Sequence, residues 1–347
     1  MVESNSLFFE KIIGRSEKAF LSEADLESYF GNSRILVTGA AGSIGSAIIK
    51  RLTKAGIRNV YLLDHDESAL HNLILKLSQS SDLSSKNCFI ADIRDLTGIQ
   101  EAIHQIEPSV VIHTAALKHL VTLERFPREG FLSNVVGTLN VAQACREFGM
   151  EQFINISTDK AAKPISVLGK TKKLGELLTE EIFVNTKTKY CSVRFGNVFA
   201  SRGSVIETFI HQIKYNIPVT LSDMDVGRFF MSENEAANLV LAASTLDIGG
   251  TYIQDMGEEV KIINVIERLF EYFQSRVGIN LIGLHPGEKL HEELYDGPVS
   301  MTKFPSISRS EHSISKGLVE AIKQVTTAND IDVRHSLDSL IQNFLKL

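Results

Sequence analysis

Six short apolar runs are spaced along the middle of the chain, with helix-length amphipathic stretches between them. They lie at residues 34–38 (RILVT), 60–64 (VYLLD), 88–92 (CFIAD), 110–114 (VVIHT), 152–156 (QFINI) and 190–194 (YCSVR). Apolar positions are continuous in these runs rather than alternating, which predicts strands buried on both faces. Buried strands alternating with helices predict an α/β fold: a doubly wound parallel sheet of Rossmann type with helices on both sides. Residues 1–33 are polar with apolar islands at Phe8, Phe9, Ile12 and Ile13, a spacing that suits a short amphipathic helix packed on the protein's own body. After Phe195 glycine and proline thicken, first around Gly196, Gly203, Pro218 and Gly227, then around Gly283, Pro286 and Gly287. These clusters read as the loops of a smaller C-terminal substrate-binding α/β part.

Composition narrows the class. With 36 basic and 42 acidic residues among 347, the net charge is −6, and no basic block is present. Nucleic acid is therefore not expected as the main partner. Cys88, Cys145 and Cys191 are far apart, odd in number and set in apolar surroundings, which predicts reduced buried thiols in a cytoplasmic protein rather than a disulfide or a metal site. No apolar run approaches the roughly 20 residues of a membrane span. The start, Met1-Val2-Glu3-Ser4, has no basic region followed by an apolar one, so no secretory signal is expected.

The first strand runs into Gly39-Ala40-Ala41-Gly42-Ser43-Ile44-Gly45 and then into a helical pattern. A strand, three spaced glycines and a helix start form the context in which a glycine fingerprint means a dinucleotide site. Gly39 permits the tight turn, Gly42 lets the backbone approach a pyrophosphate, and Gly45 allows close packing of helix on strand. The helix end offers N–H groups to the phosphates. Asp64 closes the second strand, where an acid accepts the ribose hydroxyls of NAD and repels a 2′-phosphate, so NAD is expected over NADP. Asp92, closing the third, is placed to meet the adenine amine.

The most informative segment is Ser157-Thr158-Asp159-Lys160 with Leu168 and Lys172 downstream. It resembles a short-chain dehydrogenase site, in which a tyrosine and a lysine four residues later share a helix face. Here Lys172 is the lysine and Leu168 stands in the tyrosine position. Leucine exchanges no proton, so Thr158, Asp159 and Lys160 become the adjacent acid/base groups.

Further stretches extend the likeness: HTAALKH (113–119), NVVGT (134–138), STDKAAKPISVLGKTK (157–172), RFGNVFASRGSV (194–205), GRFFM (227–231) and HPGEKLHEEL (285–294). With these, the chain resembles the UDP-N-acetylglucosamine 4,6-dehydratases of bacterial glycan biosynthesis, a branch of the extended short-chain dehydrogenases. The segment 9–30 is similar to the one that precedes the catalytic domain in membrane-anchored members. The resemblance implies a UDP-N-acetylhexosamine substrate and a three-stage reaction: oxidation at sugar carbon 4 by NAD, loss of the carbon-5 proton and the carbon-6 hydroxyl as water, and return of hydride to carbon 6. The rivals are a 4- or 5-epimerase on the same scaffold and a catalytically silent nucleotide-sugar-binding protein.

The resemblance also implies roles. Asp159 is the acid for the leaving hydroxyl, and Lys160 the carbon-5 base, which requires a lowered pKa. Thr158 would bond the carbon-4 hydroxyl, and Lys172 would hold the nicotinamide ribose. Ser43, Ile44, Ile93 and Ala115 join Gly39, Gly42, Gly45, Asp64 and Asp92 around the cofactor. Lys118, His119 and Asn197 would border the sugar, Arg228 and Lys289 the diphosphate. His285 stands where the family usually has arginine. Glu288 and Glu292 are read as ordering their loop. Leucine at 168 is closer to the methionine of the membrane-anchored members than to tyrosine, which points to retention at carbon 5. The implied assembly is a homo-oligomer. The expected organisation is a helical extension at 1–33, an NAD-binding domain at 34–195, a mainly nucleotide-sugar-binding part at 196–300 with about 229–255 returning to the first domain, and a helical segment at 301–347.

Overall fold

In a computed structural model, described over residues 6–78, 83–247, 249–310, 313–314, 316–326 and 330–346, the leader comes first as two helices, α1 (Ser6–Ile13) and α2 (Glu23–Phe30). The α/β unit follows as β1 (Ile35–Thr38), α3 (Ser43–Lys54), β2 (Val60–Asp64), α4 (Glu67–Leu77), β3 (Cys88–Ile90), α5 (Leu96–Ile106) and β4 (Val110–His113). It continues with α6 (Leu120–Arg125), α7 (Pro127–Phe131), α8 (Gly137–Glu147), β5 (Gln152–Thr158), α9 (Val167–Phe183) and β6 (Lys189–Phe195). The third strand is shorter than its apolar run: it stops at Ile90, and Ala91 and Asp92 turn away into the loop.

The strands join in the order β3-β2-β1-β4-β5-β6, all parallel, and the strand Thr251–Gln254 extends the sheet parallel to β6. The sheet is thus of Rossmann type, with its order reversing between β1 and β4. Two strands that the apolar pattern did not mark, Val299–Met301 and Ile307–Ser310, then add an antiparallel edge.

One apolar core lies on each face of this sheet. Leu26, Ile35, Val37, Ile48, Leu62 and Leu239 belong to the first, so the helix Glu233–Ser244 packs on the sheet beside α3. Leu36, Val111, Phe153 and the inner face of α9 belong to the second, together with Leu318, Ile322, Val333, Leu337 and Leu340 from the C-terminal helices. A third core fills the smaller part, where Phe8, Phe9, Ile12 and Ile13 of α1 meet Phe199, Phe209, Val265 and Leu269.

The leader is fastened by polar contacts as well. Arg15 forks onto Glu235 at 2.6 and 3.1 Å, and Arg268 donates to the last carbonyls of α1, Ile12 and Ile13, at 2.8 Å each. The second contact satisfies acceptors that a helix end leaves open.

Candidate active site

Where the strand order reverses, the tips of β1, β2 and β4 open onto a cavity of about 400 Å³. Gly39, Gly42, Asp64, Asp92, Ile93 and Ala115 line it. Gly39 has φ +64°, and a Cβ there would come within 2.6 Å of the Ala115 main chain. A Cβ on Gly45 would overlap the Gly39 carbonyl oxygen, so only glycine lets α3 sit this close to the turn. Helix α3, opening with Ser43 and Ile44, starts from Gly42 with no side-chain cap, leaving its first N–H groups for an anion. Asp64 is held in place by the Ala41 N–H (3.0 Å) and the Asp66 N–H (3.1 Å). A glycine cradle, an uncapped helix start and an aimed carboxylate together suit a dinucleotide.

Two arginines at this cavity were not picked out by sequence. Arg94 donates to both oxygens of Asp92 at 2.6–3.1 Å and reaches Glu129 at 3.0 Å. The Arg94 hydrogen bonds hold the Asp92 carboxyl below its usual range against a smaller opposing effect of burial. Arg202 lies across the glycine loop, its guanidinium donating to the Ala41 carbonyl (2.6 Å) and its N–H to Ser43 Oγ (3.2 Å). It falls within the stretch 194–205 that carries the family likeness, which was the available signal.

Strand β5 delivers the second group of side chains. Thr158 is its last residue, and Asp159 and Lys160 form the tight turn that follows. Asp159 is fully buried. Its Oδ1 accepts from the Thr158 hydroxyl (2.8 Å), the Lys160 N–H (2.9 Å) and the Lys160 ammonium (3.0 Å), while its buried Oδ2 has no partner. Lys160 Nζ also reaches Asn197 Oδ1 at 3.2 Å and Glu292 Oε1 at 3.3 Å.

The lowered Lys160 pKa expected from sequence is not found. Burial does pull it down, but the Asp159 and Glu292 carboxylates outweigh burial and the repulsion from Arg228, leaving the pKa raised. Glu292 was read as ordering its loop; it is 6% exposed, touches Lys160, and leaves its own Oε2 buried without a partner.

On α9, capped by the Ser166 hydroxyl bonded to the Gly169 N–H (3.0 Å), Leu168 and Lys172 are both buried. Desolvation lowers Lys172 to about 8, with Glu176 opposing. His113, bonded to Thr38 (2.8 Å) and Thr138 (3.0 Å), is pushed down to about 3 by burial and by the Lys172 charge, so it stays neutral. Beneath α9, Glu176 and Asp296 clamp Arg194 (2.7–3.0 Å), and Lys173 reaches the same two carboxylates. All four charges are buried.

The remaining predicted contacts are spread around this centre. Lys118 Nζ reaches Ser201 Oγ at 3.5 Å, and burial lowers its pKa, as it does that of neighbouring His119. Arg228 is buried and engaged by Glu288 (3.0 Å) and by the Gly227 and Leu290 carbonyls. Lys289 donates to the Lys163 carbonyl at 2.7 Å. The His285 main-chain N–H donates to Glu288 at 3.1 Å. Arg228 and Lys289 are therefore spoken for by protein acceptors, and a diphosphate would have to compete for them. Among the described residues no group of His, Cys, Asp and Glu is arranged to hold a metal, and no helix is long and apolar enough to cross a membrane.

Comparison with known proteins gives the family and the fold. The chain is 38% identical to the capsular polysaccharide biosynthesis protein CapD of Staphylococcus aureus, over 82% of its own length and 48% of CapD, so it spans about half of that relative. It is 34% identical to a UDP-glucose 4-epimerase of Rickettsia rickettsii, covering 76% of this chain and 78% of the other. Among solved structures it resembles Pen from Bacillus thuringiensis, with TM-score 0.73 and 30% identity over 80% of this chain and 87% of Pen. The fold is shared with a Thermus thermophilus UDP-glucose 4-epimerase in complex with NAD, at TM-score 0.66 and 22% identity over 88% and 98% of the two chains. The model of the polysaccharide biosynthesis protein family matches residues 35–311, and the chain belongs to that family.

Proposed function

We propose that the protein is an NAD-dependent UDP-N-acetylglucosamine 4,6-dehydratase, forming a UDP-linked 4-keto-6-deoxy-N-acetylhexosamine with retention at carbon 5 for surface-glycan synthesis, as a homo-oligomer in the cytoplasm. The observation that carries this reading is the Asp159–Lys160 pair at the tip of β5, its carboxylate fully buried and its ammonium beside Asn197. A 4-epimerase needs only hydride transfer and one proton exchange at carbon 4. A dehydratase needs an acid at oxygen 6 and a base at carbon 5 as well, and a carboxyl next to an amine supplies both.

NAD held in the glycine cradle would supply the hydride acceptor for carbon 4. Asp64 would take the adenosine ribose, Asp92 would stand near the adenine, and Ile93 and Ala115 would form the apolar wall. Lys172 presents a charge of low solvation on the face of α9 that carries Leu168, where it would hold the nicotinamide ribose. The ketone formed at carbon 4 acidifies the carbon-5 proton. Lys160 removes that proton while Asp159, through its unpartnered Oδ2, protonates the carbon-6 hydroxyl so that it leaves as water. Thr158 passes the carbon-4 hydroxyl proton, directly or through water, to Asp159, which its own hydroxyl already contacts, and Lys160 gives a proton back to carbon 5 as hydride returns to carbon 6. Lys118, His119 and Asn197 would surround the sugar, with Arg228, His285 and Lys289 toward the UDP.

The 34% identity to a protein named UDP-glucose 4-epimerase supports 4-epimerisation as the second reading. Proton NMR of UDP-N-acetylglucosamine incubated with the enzyme in deuterated water separates the two. Dehydration gives a carbon-6 methyl group, a ketone and deuterium at carbon 5. An axial carbon-4 hydroxyl with carbon 6 still oxygenated overturns the proposal in favour of epimerisation.

A further inference from the structure

The Lys160 ammonium has three N–H donors, and each faces one acceptor: Asp159 Oδ1, Asn197 Oδ1 and Glu292 Oε1. In this arrangement it has no lone pair to offer a carbon acid. Its proton has to go somewhere before it can act as a base. Asp159 is reserved as the acid for the leaving hydroxyl, so it cannot also be the sink.

Glu292 is placed to be that sink. Its carboxylate is 2% exposed, and nothing among the described residues satisfies Oε2. A buried carboxylate with an idle oxygen is costly unless it has a use. Its position is fixed from both sides. Its own N–H donates to Glu259 at 3.3 Å, Glu293 pairs with Lys163, and Asp296 is clamped by Arg194 and Lys173. The loop that carries Glu292 is anchored to β6 and α9, the elements that flank β5.

We propose that Glu292 is a proton-transfer residue of this site, taking the Lys160 proton when the substrate ketone forms and returning it afterwards. This role rests on the dehydratase reading. At rest Lys160 is an ammonium between two carboxylates, and the proton that leaves the carbon-4 hydroxyl passes through Thr158, whose hydroxyl donates to Asp159, and makes Asp159 the acid. Lys160 passes a proton to Glu292 and gains a lone pair. It then removes the carbon-5 proton, the carbon–oxygen bond at carbon 6 breaks, and Asp159 protonates the departing hydroxyl to give water. When hydride returns to carbon 6, Lys160 gives its proton to carbon 5 and recovers one from Glu292, and all three groups are as they began. Of the nearby charges, Arg228, paired with Glu288, opposes the charge on Lys160 and so eases the loss of its proton, and Glu259 is bonded to His291 (2.7 Å).

Two measurements on Glu292→Gln test the idea. In steady-state turnover with NAD and UDP-N-acetylglucosamine, kcat falls by about 10²–10³-fold, as for loss of one acid/base group. KM changes by less than about threefold, and Glu292→Asp recovers part of the rate, because an interaction made only in the transition state has been removed.

Independently of any turnover, Lys160 is labelled by formaldehyde and cyanoborohydride across pH and quantified by peptide mass spectrometry. Removing one of its two carboxylate neighbours lowers its half-labelling pH by about one unit or more. An unchanged labelling pH overturns the coupling of Glu292 to Lys160 whatever the reaction is. A raised KM at normal kcat overturns the proton role in favour of substrate binding. If wild-type enzyme releases no water yet Lys160 labelling shifts as stated, the dehydratase reading fails while the coupling stands.

Discussion

Replacing Lys172 by methionine should make the protein more stable and inactive. Lys172 is 6% exposed, and desolvation takes its pKa from 10.5 to about 8, with Glu176 recovering only part of the loss. The folded pKa is therefore below the unfolded one. Below pH 8 both states carry the proton, and the native state bears the whole cost of a buried charge. Between about pH 8 and 10.5 the native lysine is neutral while the unfolded one is still charged, so stability rises with pH across that window. At about 1.4 kcal/mol per pH unit, the ammonium costs the fold about 3 kcal/mol at pH 7. Methionine fills the same unbranched volume with no charge to desolvate. The nicotinamide-free Lys172→Met protein should gain about 2–3 kcal/mol at pH 7, and the gain should shrink toward zero by pH 10.5. The chain has no tryptophan, so urea unfolding is followed by far-ultraviolet circular dichroism at the two pH values. A variant less stable than wild type at pH 7, or a gain equal at pH 7 and pH 10, would refute the reasoning.

Asp159→Asn should lower the rate of water loss by about 10²–10⁴-fold with UDP-sugar affinity unchanged by calorimetry, the outcome that its proposed role as the acid for the leaving hydroxyl requires. Glu176→Gln removes a carboxylate that Arg194 and Lys173 share in a fully buried network, and the melting temperature should drop by an amount corresponding to about 3 kcal/mol. Arg202→Ala should raise the NAD dissociation constant about tenfold, about 1.4 kcal/mol, while UDP binding alone is unaffected, because Arg202 spans the glycine loop.

The sheet was legible because its central parallel strands are buried on both faces, which forces unbroken apolar runs such as ILVT and VVIH. The edge strands Val299–Met301 and Ile307–Ser310 are no shorter than β3 and β1, and they escaped because their sequences VSM and ISRS mix serine and arginine with apolar residues. The glycine loop, Asp64 and the Asp159–Lys160 pair were legible as local patterns. What local pattern could not supply was Glu292: its loop is brought to Lys160 only by the fold, and with it the sign of the Lys160 shift. The same reason hid the Glu176–Arg194–Asp296 clamp, whose three members come from a helix, a strand and a loop.

The two ends of the chain bear on how the protein can be cut down. The family match covers residues 35–311, an obvious choice of expression boundaries. A fragment with those limits would strip Phe8, Phe9, Ile12 and Ile13 from Phe199 and Phe209 on one side, and Leu318, Ile322, Val333, Leu337 and Leu340 from α9 on the other. It would also leave the fully buried Glu235 without its arginine. Such a fragment should be recovered as aggregate, with its newly bared phenylalanines and leucines seeking one another between molecules. The smallest unit that keeps these cores covered is thus larger than the stretch that matches the family.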